Sequence, residues 1–366
     1  MNLIMITPRV GTSNPILAFI PNWIKALSEQ VDHLWVISPR VEIIDLPGNV
    51  SVFEVGRDYT QRETVLHAAF HYYRVLWHLL RIEKVDGVLV HMYPRFAIMA
   101  APLTKARGVP LAMWYTHQHV NWQLKAAHWL VDLVLTASAG SFRIKSNKVK
   151  VMGHGIDTDT FRPRQTEINP EQKIYKLLTV GRISPSKRVE DILAAVDILV
   201  NCWGHTNFEL IIVGDSPQPN QKGYLDELRA ITKEKHLENV VNFVGKIPHS
   251  ELVKFYHSAV LFLSASQSGL DKAILEAMSC GVPVIASNPE FIPLMSGFDE
   301  DLYYVQGNAY SLAEKIDRML KKNESERWDI GQSLRSVVCS THRVERLMEM
   351  IVQEINIYGE MKNTIG

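Results

Sequence analysis

The chain reads as an α/β protein made of two doubly wound, parallel-sheet domains. Three observations predict this. Short, continuously apolar runs bounded by turns have the signature of buried strands. They alternate with helical patterns, once through the first half and again through the second. Between the halves lies GHGIDTDTFRPRQTEINPEQ, whose Pro163, Pro170 and polar residues read as a linker.

Residues 3–6 form the first strand, followed by the turn TPRVGTSNP with Gly11 and Pro15, then a helix over about 16–30. Residues 34–37, 50–53, 88–90, 111–114 and 133–136 are further strands, and a long helix spans about 63–84. Alternation restarts at the strand 177–180. A helix carrying Ile192, Leu193, Val196 and Leu199 follows, then strands at 210–213 and 240–244. The stretch LFLSASQSGLDKAILEAMSCGVPVIAS is the most informative. A strand over 260–263 leads to a polar turn, then to a helix with Leu270, Ala273, Ile274, Ala277 and Met278 on one stripe. Ser268 and Asp271, three apart, read as a capping box with Asp in place of Glu. Gly281 stops the helix, Pro283 forbids its return, and 282–286 is the next strand. Helices are expected over 309–321, 325–337 and 344–358.

With 366 residues, 46% of them hydrophobic, the chain can bury two cores. The net charge is zero, yet residues 1–164 hold 18 Lys+Arg against 12 Asp+Glu and the remainder 21 against 27. A basic first half favours anionic partners such as lipid headgroups. Cys202, Cys280 and Cys339 share no close spacing, so neither a zinc motif nor a disulfide framework is expected, and a reducing cytosol fits. No signal peptide is expected, because strand-like sequence begins at Asn2, and no uncharged apolar run approaches the roughly 18 residues of a membrane span. The first turn lacks G-x-G-x-x-G, which argues against a nicotinamide-dependent dehydrogenase.

Amide groups at Gly269, Leu270 and Asp271 open a helix at a strand's carboxyl end, where backbone N–H groups and the helix dipole favour an anion such as a phosphate. Arg182 and Lys187 flank the turn before another helix, where a lysine is unfavourable unless an anion is present. Glu276 lies off the apolar stripe, within reach of Lys272. His117 and His119 follow an apolar strand two apart, without a third ligand in the spacing to complete a metal site. His91 stands at another strand end. The segment FHYYRVLWHLLRIEK mixes aromatics with Arg74, Arg81, His71 and His78, and reads either as a core helix with a charged outer face or as a membrane-docking surface.

SGLDKAILEAMSCGVPVIAS resembles the E-x7-E region of retaining GT-B glycosyltransferases, family 4 in particular. The resemblance implies two Rossmann-like domains facing across a cleft: an acceptor-binding domain over 1–165, a nucleotide-sugar domain over 166–343, and a final helix from 344 crossing back to the first. Glu276 falls on the second Glu, which holds the donor ribose in the family. Ser268 stands where the first Glu belongs, a departure in how the donor sugar's hydroxyls are held. Gly269, Leu270 and Asp271 match the turn that cradles diphosphate and sugar, and Arg182 and Lys187 the pair that reaches the diphosphate. Gly11 is placed beside the donor phosphates, Ile247 and Lys246 beside the base, and His117 (with His91 as a second candidate) facing the donor sugar. Gly155, Ile156, Asp157, Phe161 and Pro163 match the G-[IV]-D-x-x-x-F-x-P segment that closes the first domain.

The implied function is retaining transfer of a sugar from a UDP- or GDP-linked donor to an acceptor hydroxyl of a glycan, glycolipid or small molecule. It needs no cofactor, no metal and no nucleic acid, and His117, Arg182 and Lys187 carry the catalysis. The implied location is the cytoplasm, with peripheral contact at the inner membrane face. Two alternatives stand beside it: a catalytically impaired nucleotide-sugar-binding partner subunit, which Ser268 favours, and a sugar-nucleotide epimerase of the same fold.

Overall fold

A computed structural model of the protein describes residues 1–14, 17–56, 65–164, 174–216, 222–267, 269–295, 297–298 and 300–365. The chain divides into two compact units, Met1–Gly155 with Val344–Gly366, and Ile156–Arg343.

Seven parallel strands form the first unit's sheet: β1 (Asn2–Ile6), β2 (His33–Ser38), β3 (Val50–Glu54), β4 (Gly87–His91), β5 (Leu111–Trp114), β6 (Leu133–Thr136) and β7 (Val149–Val151). Their order is β3-β2-β1-β4-β5-β6-β7. Helices α1 (Ile20–Ser28), α2 (Val65–Ile82), α3 (Pro94–Ala106) and α4 (Trp122–Leu130) connect them. Period-2 alternation divides β1 between two cores. Leu3 and Met5 pack with Ile20, Trp23 and Ile24, while Ile4 and Ile6 pack with Leu76, Leu79 and Leu80. Both faces are covered, so the strand sequence is apolar throughout. The first helix is shorter than expected. A tight turn, with Ile20 N–H donating to Leu17 O at 3.0 Å, precedes it, and Pro21 sits in its first turn. Pro15 and Ile16 lie outside the described residues.

The second sheet has β8 (Tyr175–Val180), β9 (Phe208–Val213), β10 (Val241–Gly245), β11 (Leu261–Ser264) and β12 (Val284–Ala286), again all parallel, in the order β10-β9-β8-β11-β12. Its helices are α5 (Val189–Asp197), α6 (Lys222–Glu234), α7 (Leu252–Ser258), α8 (Lys272–Ser279), α9 (Ile292–Met295), α10 (Ala309–Lys321) and α11 (Glu324–Thr341). The unit begins at Ile156 rather than at 166. Much of the expected linker is core, since Ile156 and Phe161 are buried in this unit and Arg335 donates to Phe161 O at 3.2 Å. Residues 165–173 of that stretch lie outside the described residues.

Helix α12 (Val344–Ile365) then returns to the first unit, burying Val344, Leu347, Met348, Ile351 and Ile355 in the core on the α1 side of the sheet. In each sheet the strand order reverses once, between β1 and β4 and between β8 and β11. Open α/β sheets bind ligands outside the carboxyl ends of their strands at such a reversal.

Candidate functional site

At the second sheet's reversal, the turn after β8 carries Gly181, at φ +153°, and then Arg182. Arg182 is exposed, with no partner among the described residues. A short 3-10 turn, Pro185–Lys187, aims Lys187 back over Gly181, and the Lys187 ammonium forms an ion pair with Asp271. Arg188 adopts left-handed backbone, at φ +47°, and its guanidinium grips Asp191 through two bonds of 2.6 and 2.8 Å, fixing the start of α5. A pocket opens here, lined by Gly181, Arg182, Ile183, Lys187, Ser264, Ala265 and Asp271. Another hollow, around Arg164, Cys280 and Trp328, adjoins the amino ends of β11 and β12, away from these cations.

The helix after β11 departs from expectation. It starts at Lys272, and its N-cap is Asp271, whose side chain accepts from Ala273 N–H at 3.3 Å. The capping box expected from Ser268 is therefore not the one formed, because the aspartate takes the cap itself; Ser268 lies outside the described residues. Leu270 precedes the helix and is buried in the unit's core. Gly269, at φ +82°, occupies a conformation that favours glycine, but its amide is not open to a ligand. Gly269 N–H donates to the Glu290 carboxylate at 3.1 Å. No acceptor for the Leu270 and Asp271 amides is found among the described residues.

Glu276 does not have the solvated position of an ordinary surface helix glutamate. It is 5% exposed, its Oε1 lies 2.9 Å from His249 Nε2, and its Oε2 accepts from the Tyr256 hydroxyl at 3.0 Å. Tyr256 is fully buried; that burial, then Glu276, push its phenol well above the usual range, so it stays a donor. Each carboxylate oxygen keeps a lone pair for a further donor. The His249 contact brings the loop after β10, with half-buried Ile247 and exposed Lys246, to the side of α8. Sequence reading missed His249 and Tyr256. The only signal for them was their place in the PHSELVKFYHSA segment.

In the first unit, Gly11, at φ +147°, lies at the carboxyl edge of β1 with Glu42 pressed against it; a Cβ there would stand 2.3 Å from Glu42 Cδ. The Glu42 carboxylate accepts from Thr12 N–H at 2.8 Å, Ser13 N–H at 3.1 Å, the Ser13 hydroxyl, and Arg9 at 2.7 and 3.1 Å. The bonds from Ser13 lead in holding its pKa down to about 2, with Arg9 and Thr12 adding to them. Nothing in the spacing of the sequence pointed to Glu42. His117 is exposed beyond β5, and its Nδ1 accepts from His119 N–H at 3.0 Å, which leaves Nε2 to carry the proton of the neutral ring. The two imidazole rings are 6.4 Å apart. His91 is instead 1% exposed, set edge-on against Phe19 and Trp23, with Thr7 Oγ1 3.3 Å from its Nδ1. Among the described residues no cluster of three or more His, Cys, Asp or Glu has the form of a metal site.

The sequence and the fold both resemble those of known proteins. Residues 160–335 match the family model described as Glycosyl transferases group 1. The N-acetyl-alpha-D-glucosaminyl L-malate synthase of Bacillus anthracis is 27% identical over 213 residues, covering 56% of this chain and 53% of that protein. The alpha-monoglucosyldiacylglycerol synthase of Streptococcus pneumoniae is 31% identical over 170 residues, covering 42% of this chain and 36% of that protein. The chain spans about half the length of the curated relatives it matches. Among solved structures, Anabaena HepE in complex with UDP superposes with a TM-score of 0.71 at 16% identity, covering 97% of this chain and 99% of that one. That likeness shows the fold: two Rossmann-like, parallel-sheet domains as in GT-B glycosyltransferases. Residues 160–335, which contain Arg182, Lys187, Glu276, His249 and Tyr256, are the part of the chain that matches the glycosyl transferases group 1 model.

Proposed function

We propose that this protein is a retaining family 4 glycosyltransferase that moves a sugar from a UDP- or GDP-linked donor to an acceptor hydroxyl. One observation carries the reading. Arg182, Lys187, the start of α8 and the buried Glu276 converge on the carboxyl edge of one sheet, within the part of the chain that matches the glycosyl transferases group 1 model. Arg182 and Lys187 take up the charge that grows on the leaving diphosphate, and Lys187 exchanges its bond to Asp271 for one to phosphate. Glu276, held by His249 and Tyr256, accepts the ribose hydroxyls. Ile247 borders the base. The acceptor hydroxyl attacks from the face the diphosphate leaves, so orientation and electrostatics do the work without a protein nucleophile, metal or cofactor. The names of the relatives, an N-acetyl-alpha-D-glucosaminyl L-malate synthase and an alpha-monoglucosyldiacylglycerol synthase, support a small-molecule or glycolipid acceptor.

The test is release of nucleoside diphosphate with a panel of donors and acceptors. Lys187→Ala and Arg182→Ala are each expected to lower kcat/KM by about 10²–10³, and Glu276→Ala to weaken nucleotide binding by about tenfold or more. Turnover by none of the donors, together with unchanged nucleotide affinity in Glu276→Ala, would sink the reading. Tight donor binding without turnover would favour the impaired partner subunit instead.

The proposal includes a cytoplasmic location with peripheral contact at the inner membrane face. Helix α2 contains no acidic residue and exposes Leu66, Phe70 and Trp77 along one stripe beside Arg74 and Arg81. No helix among the described residues is long and apolar enough to cross a membrane. Co-sedimentation with anionic vesicles should fall about tenfold in the Phe70→Ser, Trp77→Ser double variant. Wild-type protein that stays in the supernatant with such vesicles refutes the membrane contact.

A further inference from the structure

Resting on the glycosyltransferase reading, we propose that Asp271 sets the preference of the donor site between substrate and product: its carboxylate takes the donors a phosphate would use, and so weakens the hold on the nucleoside diphosphate more than on the sugar nucleotide.

Among the described residues that line the pocket beside Arg182 and Lys187, Asp271 is the only acid. Both its oxygens are engaged. Oδ2 pairs with the Lys187 ammonium, and Oδ1 accepts Ala273 N–H at 3.3 Å in the first turn of α8. A cation and a helix-start amide are the two kinds of donor that an anionic ligand takes in such a place. The pair is open to a ligand, since the Lys187 side chain is 22% exposed and that of Asp271 15%, both on the pocket wall. Of the two cations there, Arg182 stands exposed, while the charge of Lys187 is already matched.

Capping does not by itself call for a charge here, because Asn and Ser cap a helix about as well as Asp. A carboxylate beside a phosphate site has a further effect. Two anions that share one ammonium a few ångströms apart repel each other, and the repulsion grows with their charge. Transfer changes that charge. The bond from the anomeric carbon to the β-phosphate oxygen breaks, and its electron pair stays on that oxygen. The acceptor oxygen bonds the anomeric carbon and gives up its proton to solvent. The diphosphate left behind carries one negative charge more than it had in the donor. Asp271 therefore penalises product more than substrate, whereas Arg182 and Lys187 draw in both. An aspartate that only positioned Lys187 for its ligand would have the opposite sign, since its loss would weaken binding.

Calorimetric titration of the full chain at pH 8 with UDP and UDP-glucose, and with GDP and GDP-mannose, tests this. Asp271→Asn and Asp271→Ser both keep a cap for α8 and remove the charge. Each is expected to bind the nucleoside diphosphate about tenfold more tightly than wild type, and the sugar nucleotide only about threefold more tightly. Added salt should shrink both gains. Weaker or unchanged binding of the diphosphate by Asp271→Asn, or equal gains for the two ligands, overturns the role of Asp271 and leaves the transferase reading intact. Wild-type protein that binds none of the four ligands overturns the transferase reading and this one with it. Thermal unfolding within a few degrees of wild type certifies each variant as folded, and Asp271→Ser carries the comparison if Asp271→Asn fails that check.

Discussion

Each sheet carries, at its carboxyl edge, a glycine turn facing a carboxylate, and the two carboxylates are in opposite conditions. Glu42 in the Gly11 turn is saturated, with amides, a hydroxyl and a guanidinium converging on it. Glu290 at Gly269 is half-satisfied, with one oxygen bonded and the other without a donor. The same backbone device therefore serves two ends. A saturated carboxylate locks its turn, because any ligand must displace several bonds at once. A half-satisfied one holds its turn through a single bond and leaves its second oxygen desolvated at a cost.

The sharpest way to break this contrast is at the glycines. Gly11→Ala forces a residue with a Cβ into a backbone region essentially reserved for glycine and pushes it into Glu42, so a loss of about 3 kcal/mol in denaturant unfolding is expected. Gly269→Ala carries the left-handed penalty, about 1 kcal/mol. Similar losses at both positions would mean that Glu42 does not lock its turn.

A smaller effect is expected with acid. The folded-state pKa of Glu42, about 2, lies below the ordinary carboxylate value of 4.5. Its contribution is thus fully present above that ordinary value and is lost as pH falls through the folded one. Wild-type protein should melt about 3 °C above Glu42→Gln at neutral pH, and the gap should close between roughly pH 4.5 and 2. The side chain is 28% exposed, so added salt should narrow the gap as well. A gap independent of pH would assign the effect to shape rather than charge.

The fold was legible because it rests on local pattern. Continuously apolar strands such as β1, β4 and β11 announce burial on both faces, and their alternation with helices leaves little topological choice. What escaped included three-residue β7, α3 with Pro102 inside it, and helices α4 and α6. At the site, Arg182, Lys187 and Glu276 could be read because each belongs to a contiguous motif. Glu42, His249, Tyr256 and Glu290 could not, since each meets its partners across 20 to 33 positions of chain, and the packing that joins them has no fixed spacing. The cap of α8 was misassigned for a related reason. Ser268 and Asp271 are both good caps, and only tertiary context, here the Lys187 ion pair, holds Asp271 at the helix start.

Helix α12 has a consequence for synthesis. On the ribosome, Ile156–Arg343 emerges as one uninterrupted stretch and has all its core residues as soon as it is out. Met1–Gly155, although made earlier, must wait for Leu347, Met348, Ile351 and Ile355, which are translated only after all of Ile156–Arg343. The half born first is the half finished last, and in the interval the apolar flank it leaves uncovered is where a chaperone would be needed.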